Sequence, residues 1–321
     1  MALALHRIVR MTSLADTANE VSVCIATKGR SAGLTRLLSE LGRLVFDDID
    51  APVVGIIVVD NRPESATPLR VDYAGVNCPW RIRWLREPRI GIPFARNRAL
   101  REVGSRVRYV AFIDDDEYPH RLWLQELIKV QRRCDADVVA GPVLPQFPEP
   151  VAEWVRTGRF FERERYQTGA HLRRAATNNA LLLWPALRSR GIWFDERLAT
   201  SGGSDHLYFR VAHNSGVRIV WADEAVVYET VSPARANTRW LVRRAYRIGN
   251  TSGLVDRIAP ASRMGLLLRA IKAGVWVVRG LVRVPLGLAL GRASLVLALQ
   301  DIARGAGNIT GLCGRPKREY T

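Results

Sequence analysis

Cysteine is scarce in this sequence, and its few copies are spaced too widely for a disulfide framework or a zinc site. The chain has 321 residues and four cysteines, Cys24, Cys78, Cys134 and Cys313. No two of them form a CxxC pair, and no histidine stands at zinc-ligand spacing from them. A few separated thiols of this kind are typical of a reducing, cytosolic compartment.

Uninterrupted apolar stretches are also lacking. Arg7 and Arg10 follow only a few apolar residues at the start of the chain, so the sequence predicts no cleaved export signal.

Residues 264–299 are rich in aliphatic side chains, but no window of about 18 residues within them is free of charge. Basic residues recur there at helical spacing, namely Arg269, Lys272, Arg279 and Arg283. The pattern predicts an amphipathic helix that lies on an anionic membrane surface, or alternatively one that packs on the rest of the protein.

Acidic residues are few in the same part of the chain. The net charge is +17, and residues 231–321 hold 16 basic and only 3 acidic side chains. A basic segment attached to a nearly balanced body indicates an anionic partner, either lipid headgroups or nucleic acid. The sequence contains no recognised nucleic-acid motif, so no nucleic acid is expected as a partner. A nucleic-acid- or membrane-surface-binding protein without catalytic activity is the alternative class.

The rest of the sequence alternates apolar strands with amphipathic helices. Runs of strand length occupy residues 21–26, 53–59, 82–85, 109–113, 138–141 and 178–184, and helical patterns occupy residues 31–44, 93–103, 120–133 and 206–216. Ser31 is the expected N-cap of the first helix. This order predicts an α/β fold with a Rossmann-like, mainly parallel sheet flanked by helices, followed by the C-terminal amphipathic helical appendage.

Polar side chains follow three of these strands at their carboxyl ends, namely Thr27 and Arg30, Asp60, and Asp114 to Asp116. The carboxyl ends of parallel strands meet at one edge of a sheet, where ligands bind, so these residues are expected to converge. Carboxylates at Asp114 and Asp116 suit Mg²⁺ or Mn²⁺, which also binds water and phosphate oxygens. The alternatives are a solvated turn in which Asp116 or Glu117 favours the start of the next helix, and an Asx turn at Asp60. A phosphoryl-transfer enzyme would use such a site too, but no Walker pattern is present.

Five segments together resemble a known family, and they read VSVCIATKGR, IIVVDN, EPRIGIPFARNRAL, YVAFIDDDE and SGGSDHLYFR. In order and spacing they are similar to bacterial family 2 glycosyltransferases of the GT-A fold, over about residues 20–250. The similarity is greatest to the branch that adds single sugars to lipid-linked exopolysaccharide repeat units, as in succinoglycan assembly. The resemblance implies inverting transfer of a sugar from a nucleoside diphosphate sugar donor to a glycan or lipid-linked acceptor. It also implies a cytoplasmic enzyme that is peripheral on the inner face of the cell membrane.

The resemblance also implies roles for single residues. Asp60 matches the acid that contacts the nucleoside, and the acidic triplet matches the DxD motif that binds the metal and the diphosphate. Arg96 and Asn97 fall on the family's ARN segment, near the nucleotide. The expected donor site therefore comprises Thr27, Arg30, Asp60, Arg96, Asn97, Asp114 and Asp115, and the expected ligands of Mg²⁺ or Mn²⁺ are Asp114 and Asp116.

Asp205 is the candidate catalytic base. An inverting transfer needs a group that takes the proton of the acceptor hydroxyl, and Asp205 matches the aspartate that serves as base in the family. Ser204 stands where the family commonly has Glu, and Leu207 where many members have a further acid. From spacing alone, Ser204 or Asp205 is equally suited to cap the helix that follows.

The second half of the chain supplies the expected acceptor side. Trp154, Phe160 and Phe161 either stack on a sugar or anchor a long loop, and Arg244 and Arg247 either bind the leaving diphosphate or belong to a surface helix.

The predicted organisation is an N-terminal extension at 1–19, a transferase domain at 20–232 and a basic, apolar helical region at 233–321. The nucleotide-sugar half of the domain spans about 20–141 and the acceptor half about 142–232.

Overall fold

The structure is a computed structural model that describes residues 20–64, 76–147, 150–260 and 262–317. The predicted N-terminal extension, residues 1–19, lies outside the described residues. The strands are β1 (Glu20–Thr27), β2 (Val53–Asp60), β3 (Arg81–Arg86), β4 (Tyr109–Phe112), β5 (Glu117–Pro119), β6 (Val138–Ala140), β7 (Val143–Gln146), β8 (His171–Leu172), β9 (Ala180–Leu183), β10 (Ile219–Trp221) and β11 (Val227–Thr230). The helices are α1 (Ser31–Leu41), α2 (Ile92–Arg101), α3 (Trp123–Cys134), α4 (Glu153–Thr157), α5 (Trp184–Ser189), α6 (Ser204–Asn214), α7 (Thr238–Ile258), α8 (Arg263–Leu290) and α9 (Arg292–Leu312).

The large sheet has eight strands in the order β3-β2-β1-β4-β9-β6-β10-β8. β1 pairs in parallel with β2 and β4, and β2–β3 and β6–β10 are parallel as well. Only β8 and β9 pair with their neighbours in the antiparallel direction among the described strands of this sheet. The prediction of an α/β fold with a mainly parallel sheet flanked by helices is therefore confirmed.

The central strands are buried on both faces. In β1, Val23 and Ile25 pack with α1 and α3 on one face, whereas Cys24 packs with α2 and α6 on the other. Because successive side chains of a strand point to opposite faces, a strand covered by helices on both sides must be apolar at nearly every position. Burial raises the pKa of the Cys24 thiol, so this cysteine stays protonated and serves as a small apolar side chain.

A second, three-stranded sheet, β5-β11-β7, extends the fold beside the acidic segment. β5 begins at Glu117, and α3 begins only at Trp123, so the interpretation of Asp116 or Glu117 as the start of the next helix is wrong. Ser31 is not an N-cap either. It is the first residue of α1, and Arg30 occupies the cap position without a side-chain cap hydrogen bond, because a guanidinium has no acceptor for a helix N–H.

The three C-terminal helices pack closely, with α9 between α7 and α8. Glycines make this approach possible. A Cβ atom on Gly307 of α9 would lie 2.1 Å from the carbonyl oxygen of Tyr246 on α7, and one on Gly280 of α8 would lie 2.7 Å from that of Ala298 on α9. Helix backbones therefore touch where side chains would otherwise keep them apart.

Helix α8 has the predicted separation of basic and apolar side chains, but its arginines bind inward. Arg269 pairs with Asp256 on α7, and Arg279 and Arg283 pair with Asp301 on α9 at 2.7 and 3.3 Å. The outward side is aliphatic, and more than half of each of these side chains is exposed: Met264, Leu267, Leu268, Ile271, Val275, Val278, Leu281, Val282, Leu286, Leu288 and Leu290. Within the described residues, α8 alone has the length and apolar composition of a membrane-crossing helix.

Candidate active site

A cavity of ≈ 590 Å³ opens at the carboxyl edge of the parallel strands. β1 and β2 end there side by side at Thr27 and Asp60, and β4 ends at Phe112 just before the acidic triplet. Segments from both halves of the chain line the cavity. Its charged members are Lys28, Arg30, Arg96, Asp114, Asp115, Asp116, Glu117, Arg163, Asp205, Glu229, Arg235, Arg244 and Arg247.

Asp115 fixes the acidic segment to the end of β1. Its carboxylate accepts hydrogen bonds from Thr27 Oγ1 at 2.6 Å and from Arg30 Nη1 at 2.7 Å, and only 3% of the residue is exposed. Gly33 of α1 lets the two segments approach, since a Cβ atom there would lie 2.5 Å from the carbonyl oxygen of Asp115. The structure thus brings the predicted residues Thr27, Arg30 and Asp115 together, with Asp115 oriented toward the protein.

Asp114 and Asp116 lie on either side of this buried residue and both line the cavity. Asp114 Oδ1 lies 3.3 Å from Arg96 Nη2, and Asp116 Oδ2 lies 2.9 Å from Arg235 Nη2. Each carboxylate therefore already has a cation beside it, one from α2 and one from the segment that leads into α7.

Four carboxylates share one electrostatic environment in this cavity. Desolvation raises the pKa of Asp114 to about 6. The Arg96 guanidinium opposes this shift, while the carboxylates of Asp116, Asp115 and Asp205 add to it. Negative charge is therefore crowded at the point where the predicted metal ligands and the predicted base meet.

The donor groups suit a cation that keeps part of its own water shell. No set of three or more His, Cys, Asp or Glu side chains converges as a metal cage in the part of the chain that the structure describes. That rules out a closed structural zinc site among these residues. Two carboxylates that line a cavity, Asp114 and Asp116, fit Mg²⁺ or Mn²⁺, which is commonly held by one or two carboxylates with water and phosphate oxygens.

Glu117 is a site residue that sequence reasoning missed. It is 3% exposed, and its carboxylate accepts hydrogen bonds from the backbone N–H of Asp114 at 3.2 Å and from Asn178 Nδ2 at 2.9 Å. Burial raises its pKa well above the usual range, and the Asp114 carboxylate adds to the shift. The fourth acid of the DDDE run thus orients the acidic segment from within, a role that the length of the run alone could have indicated.

Asp60 lies at the predicted edge of the sheet, but the neighbouring residue Asn61 lines the cavity in its place. Arg62 holds both carboxylate oxygens of Asp60, with Nε at 2.9 Å and Nη2 at 2.7 Å. Among the described residues, the lining contains Asn61 and not Asp60. The Asn61 amide is itself fixed, because it donates to the carbonyl of Glu87 at 2.9 Å and accepts from the N–H of Gly91 at 2.9 Å.

Arg96 and Asn97 diverge from each other on α2. Arg96 lines the cavity beside Asp114, as described above. Asn97 is 2% exposed and binds the backbone of Phe194 in both directions, as donor at 2.9 Å and as acceptor at 3.0 Å. The structure therefore places Asn97 as a tie between α2 and the segment before α6, outside the described cavity lining.

Asp205 lies at the start of α6, where two glycines shape the turn. Gly202 and Gly203 have φ values of 74° and 84°, and Gly203 is the N-cap residue, with no side-chain cap hydrogen bond. Asp205 Oδ1 accepts from the N–H of His206 at 2.8 Å, while Oδ2 has no hydrogen-bond partner among the described residues. Ser204 Oγ is buried without a described partner, and both Ser204 and Asp205 lie inside α6, so the interpretation of either residue as the helix cap is wrong.

Helix α7 forms the basic wall of the cavity. Arg244 and Arg247 both line it, so they do not belong to a purely external helix face. Burial, together with the nearby Arg163 guanidinium, lowers the pKa of Arg244 to about 10. A cluster of partly desolvated guanidinium groups favours a bound anion, because the anion offsets both the burial and the mutual repulsion.

The aromatic residues predicted for sugar stacking lie elsewhere. Phe161 is buried, and Trp154 and Phe160 pack against the same apolar cluster, which also contains Val155 and Leu241. The described lining of the cavity includes none of the three. They anchor the loop, as the second alternative held, and Trp240 of α7 is the aromatic side chain that reaches the cavity.

Comparison with known proteins points to one family. The model of glycosyl transferase family 2 matches residues 22–188, which include most of β1, the strands β2 to β9 and the acidic segment. The succinoglycan biosynthesis protein ExoM of Rhizobium meliloti (strain 1021) is 33% identical over 198 residues, which cover 62% of this chain and 63% of that protein.

More distant matches cover a larger share of the chain. The pre-mycofactocin glycosyltransferase of Mycobacterium tuberculosis (strain ATCC 25618 / H37Rv) is 28% identical over 295 residues, which cover 87% of this chain and 56% of that protein. The chain thus spans less than two thirds of the length of these curated relatives. The crystal structure of S. aureus TarS 1-349 in complex with UDP aligns over 92% of both chains with a TM-score of 0.49 and 17% identity.

Proposed function

The chain belongs to glycosyl transferase family 2, and we propose that it transfers a sugar from a nucleoside diphosphate donor to an acceptor hydroxyl with inversion at the anomeric carbon. The observation that carries this proposal is the meeting of Asp114, Asp116 and Asp205 in one cavity whose opposite wall is the arginine-bearing helix α7. That arrangement offers a base and an anion-binding wall within a single site.

Asp205 is the proposed catalytic base. Its Oδ2 takes the proton of the acceptor hydroxyl while the acceptor oxygen forms a bond to the anomeric carbon. The bond from that carbon to the donor phosphate oxygen breaks, and its electron pair leaves with the nucleoside diphosphate. The hydrogen bond from the His206 N–H to Oδ1 holds the carboxylate in place and leaves Oδ2 available for the proton.

The arginines are proposed to stabilise the charge of the departing diphosphate. Arg30 approaches it from the loop after β1, Arg96 from α2, and Arg244 and Arg247 from α7. Fixed cations in a partly desolvated cavity need little rearrangement when negative charge develops, which is the main source of electrostatic catalysis. Thr27 and Asp115 keep Arg30 in position through the hydrogen bonds at 2.6 and 2.7 Å.

Asp114 and Asp116 are the residues that would hold Mg²⁺ or Mn²⁺. When bound, such an ion neutralises charge on the diphosphate and lowers the repulsion between the two carboxylates. The nucleoside is proposed to lie over the ends of β1 and β2, where Asp60 and Asn61 are found. Asn97 supports this side of the site from behind, through its bonds to Phe194.

The acceptor is proposed to be a precursor of an extracellular polysaccharide, glycan or lipid-linked. Support comes from ExoM, a relative whose name places it in succinoglycan biosynthesis. The outward aliphatic side of α8 is proposed to lie on the inner face of the cell membrane, since this surface has no covering partner among the described residues. The chain would then work in the cytoplasm at the membrane surface.

A donor screen combined with a base substitution tests the function. UDP-, GDP- and dTDP-sugars with and without Mn²⁺ are expected to include one that raises the melting temperature of the wild-type chain. Asp205→Asn should keep this shift and lower the transfer rate by about 10²- to 10⁴-fold. The matched control is Asp48→Asn, an exposed aspartate paired with Lys129 far from the cavity, which should keep the wild-type rate. A near-normal rate in Asp205→Asn would refute its role as base.

A further inference from the structure

A second groove, of ≈ 480 Å³, runs along α7 next to the cavity. Its lining is Ala234, Asn237, Arg239, Trp240, Arg243, Arg244, Arg247 and Lys317. Every charged residue in this described lining is a cation, whereas the cavity described above mixes acids and bases. The groove therefore has a strong positive potential that nothing within its own described lining offsets.

Two arginines of the groove have no carboxylate partner. Arg239 and Arg243 lie one helical turn apart on α7, and neither makes an ion pair or a hydrogen bond with another side chain in the part of the chain that the structure describes. On the neighbouring helices the opposite holds, because Arg279 and Arg283 share Asp301. Carboxylates on α7 and α9 thus neutralise arginines of α8, whereas Arg239 and Arg243 remain available to a ligand from outside.

The walls of the groove are held in place. Asn237 caps α7, with Oδ1 accepting the N–H of Trp240 at 3.0 Å, and Trp240 stacks on Phe161 with ring centroids 5.8 Å apart. On the other side, the backbone N–H of Lys317 donates to Asn250 at 2.8 Å. The floor of the groove is therefore rigid, and the exposed side chains of Arg239 and Arg243 are available above it to contact a bound anion.

The groove and the cavity are continuous, since Trp240, Arg244 and Arg247 line both. A molecule with its hydroxyl at Asp205 can therefore extend past Trp240 into the groove. We propose that the groove is an anion subsite that binds a phosphate or diphosphate group on the acceptor side, separately from the donor diphosphate. Its assignment to the acceptor rests on the proposed function, but the anion site itself does not. Planar guanidinium groups bind phosphate oxygens in pairs, and a row of cations favours a multiply charged group.

Inorganic pyrophosphate is the probe for this site. Calorimetric titration of the full chain should show binding that Arg239→Ala/Arg243→Ala weakens by about tenfold or more, as expected when charged hydrogen bonds are lost. The charge-matched control is Arg132→Ala/Arg133→Ala on α3, which should bind as the wild type does. Equal loss in the α3 control, or no loss in the groove variant, would overturn the proposal.

Two further arms identify the source of the anion and separate this proposal from the transferase assignment. Vesicles of phosphatidylcholine with and without phosphatidylglycerol are added to the wild type and the groove variant. If the variant loses both pyrophosphate and phosphatidylglycerol binding, the anion is a lipid headgroup, and if it loses pyrophosphate alone, the anion belongs to the acceptor molecule. Thermal shift with UDP, GDP and dTDP reads the donor cavity independently, so a chain that binds pyrophosphate in the groove but no nucleotide refutes the proposed function and leaves the groove site standing.

Discussion

The sheet-bearing part of the chain and the three C-terminal helices are packed by different means. The sheet buries interlocking aliphatic side chains on both faces and keeps its acids at strand ends. The helices α7 to α9 contact each other at glycines. The arginines of α8 that face these helices pair with Asp256 and Asp301, and the aliphatic side chains of α8 lie on its outer side. The comparison teaches that the sheet-bearing part supplies the acidic residues of the cavity, whereas the helices supply its basic wall and an apolar outer surface.

The largest expected effect is on the chemistry of the sheet edge. Removal of divalent metal with EDTA, or Asp116→Asn, should lower sugar transfer by about 100-fold or more, the loss typical of removing electrostatic stabilisation from a transition state. The melting temperature of the ligand-free chain should change little, because the Asp116–Arg235 pair is partly exposed. Full turnover in EDTA would contradict the assignment of Asp114 and Asp116 to a metal.

The second effect is on the fold of the helices. Gly307→Ala places a Cβ atom 2.1 Å from the carbonyl oxygen of Tyr246 and should lower the free energy of unfolding by about 2–3 kcal/mol, measured by denaturant titration. Gly274→Ala is the matched control in α8, since a Cβ atom there meets nothing within 4 Å. It should raise stability by about 0.5–1 kcal/mol through helix propensity. Equal effects of the two substitutions would show that the helices do not approach as closely as described.

The third effect separates the outer surfaces of the two regions. Val282 on α8 and Val53 at the start of β2 are 72% and 66% exposed. Val282→Glu should weaken sedimentation with vesicles that contain phosphatidylglycerol by about tenfold, because an apolar side chain is lost from the membrane contact. Val53→Glu should bind vesicles as the wild type does. If both variants behave alike, the contact with membrane is not made by α8.

The smallest effect is a pH dependence at the sheet edge. Two hydrogen bonds from Arg89, both at 2.9 Å, hold the pKa of Glu87 below its usual range. The folded chain therefore binds the proton less readily than the unfolded chain. The stabilisation is complete above about pH 4.5 and is lost as the pH falls below that value. Glu87→Gln should lower stability at neutral pH by about 0.5–1 kcal/mol and flatten the acid limb of the stability profile.

A companion substitution checks the cause of that pH dependence. Arg89→Ala removes the same hydrogen bonds from the other side and should flatten the acid limb in the same way. Arg133→Ala, on α3, should leave the profile unchanged. An unaltered acid limb in both Glu87→Gln and Arg89→Ala would show that this pair does not contribute.

The sheet was predictable because its signals are local. The apolar runs that form β1, β2 and α1 are long enough to show strand or helix periodicity. Because parallel strands end at one edge of a sheet, Thr27 and Asp115 could also be expected to lie close together, as they do. The small sheet of β5, β7 and β11 was not predicted, because its strands contain polar residues such as Glu117, Gln146 and Glu229 and lack the continuous apolar runs of the large sheet. The antiparallel direction of β9 could not be predicted either. The direction of a strand depends on the path of the chain between strands and not on the residues of the strand itself.

The site was predictable in its members and less so in their orientation. Asp114, Asp116 and Asp205 line one cavity as expected, but Asn61 takes the place of Asp60 because Arg62 binds both oxygens of Asp60. Sequence spacing fixes the order of residues and not the rotamer that a neighbouring guanidinium selects.

The helical region held a signal that sequence analysis passed over. The segments GNTSG and GNITG begin at Gly249 and Gly307, each with glycines four residues apart on one helix face. These glycines form the contact between α7 and α9. This contact fixes the rotation of α7 about its own axis and so determines that Arg244 and Arg247 face the cavity. The repeated spacing indicates where the helices touch, but only tertiary packing shows which arginines this turns toward the site.

The position of α9 between α7 and α8 has a consequence for how the protein comes into being on the ribosome. The helix that completes the packing of α7 is synthesised after both of its neighbours. The sheet edge can form early in translation, while the arginine wall gains its final orientation only once α9 has emerged. A nascent chain therefore carries the acids of the cavity before it carries the helix against which the basic wall packs.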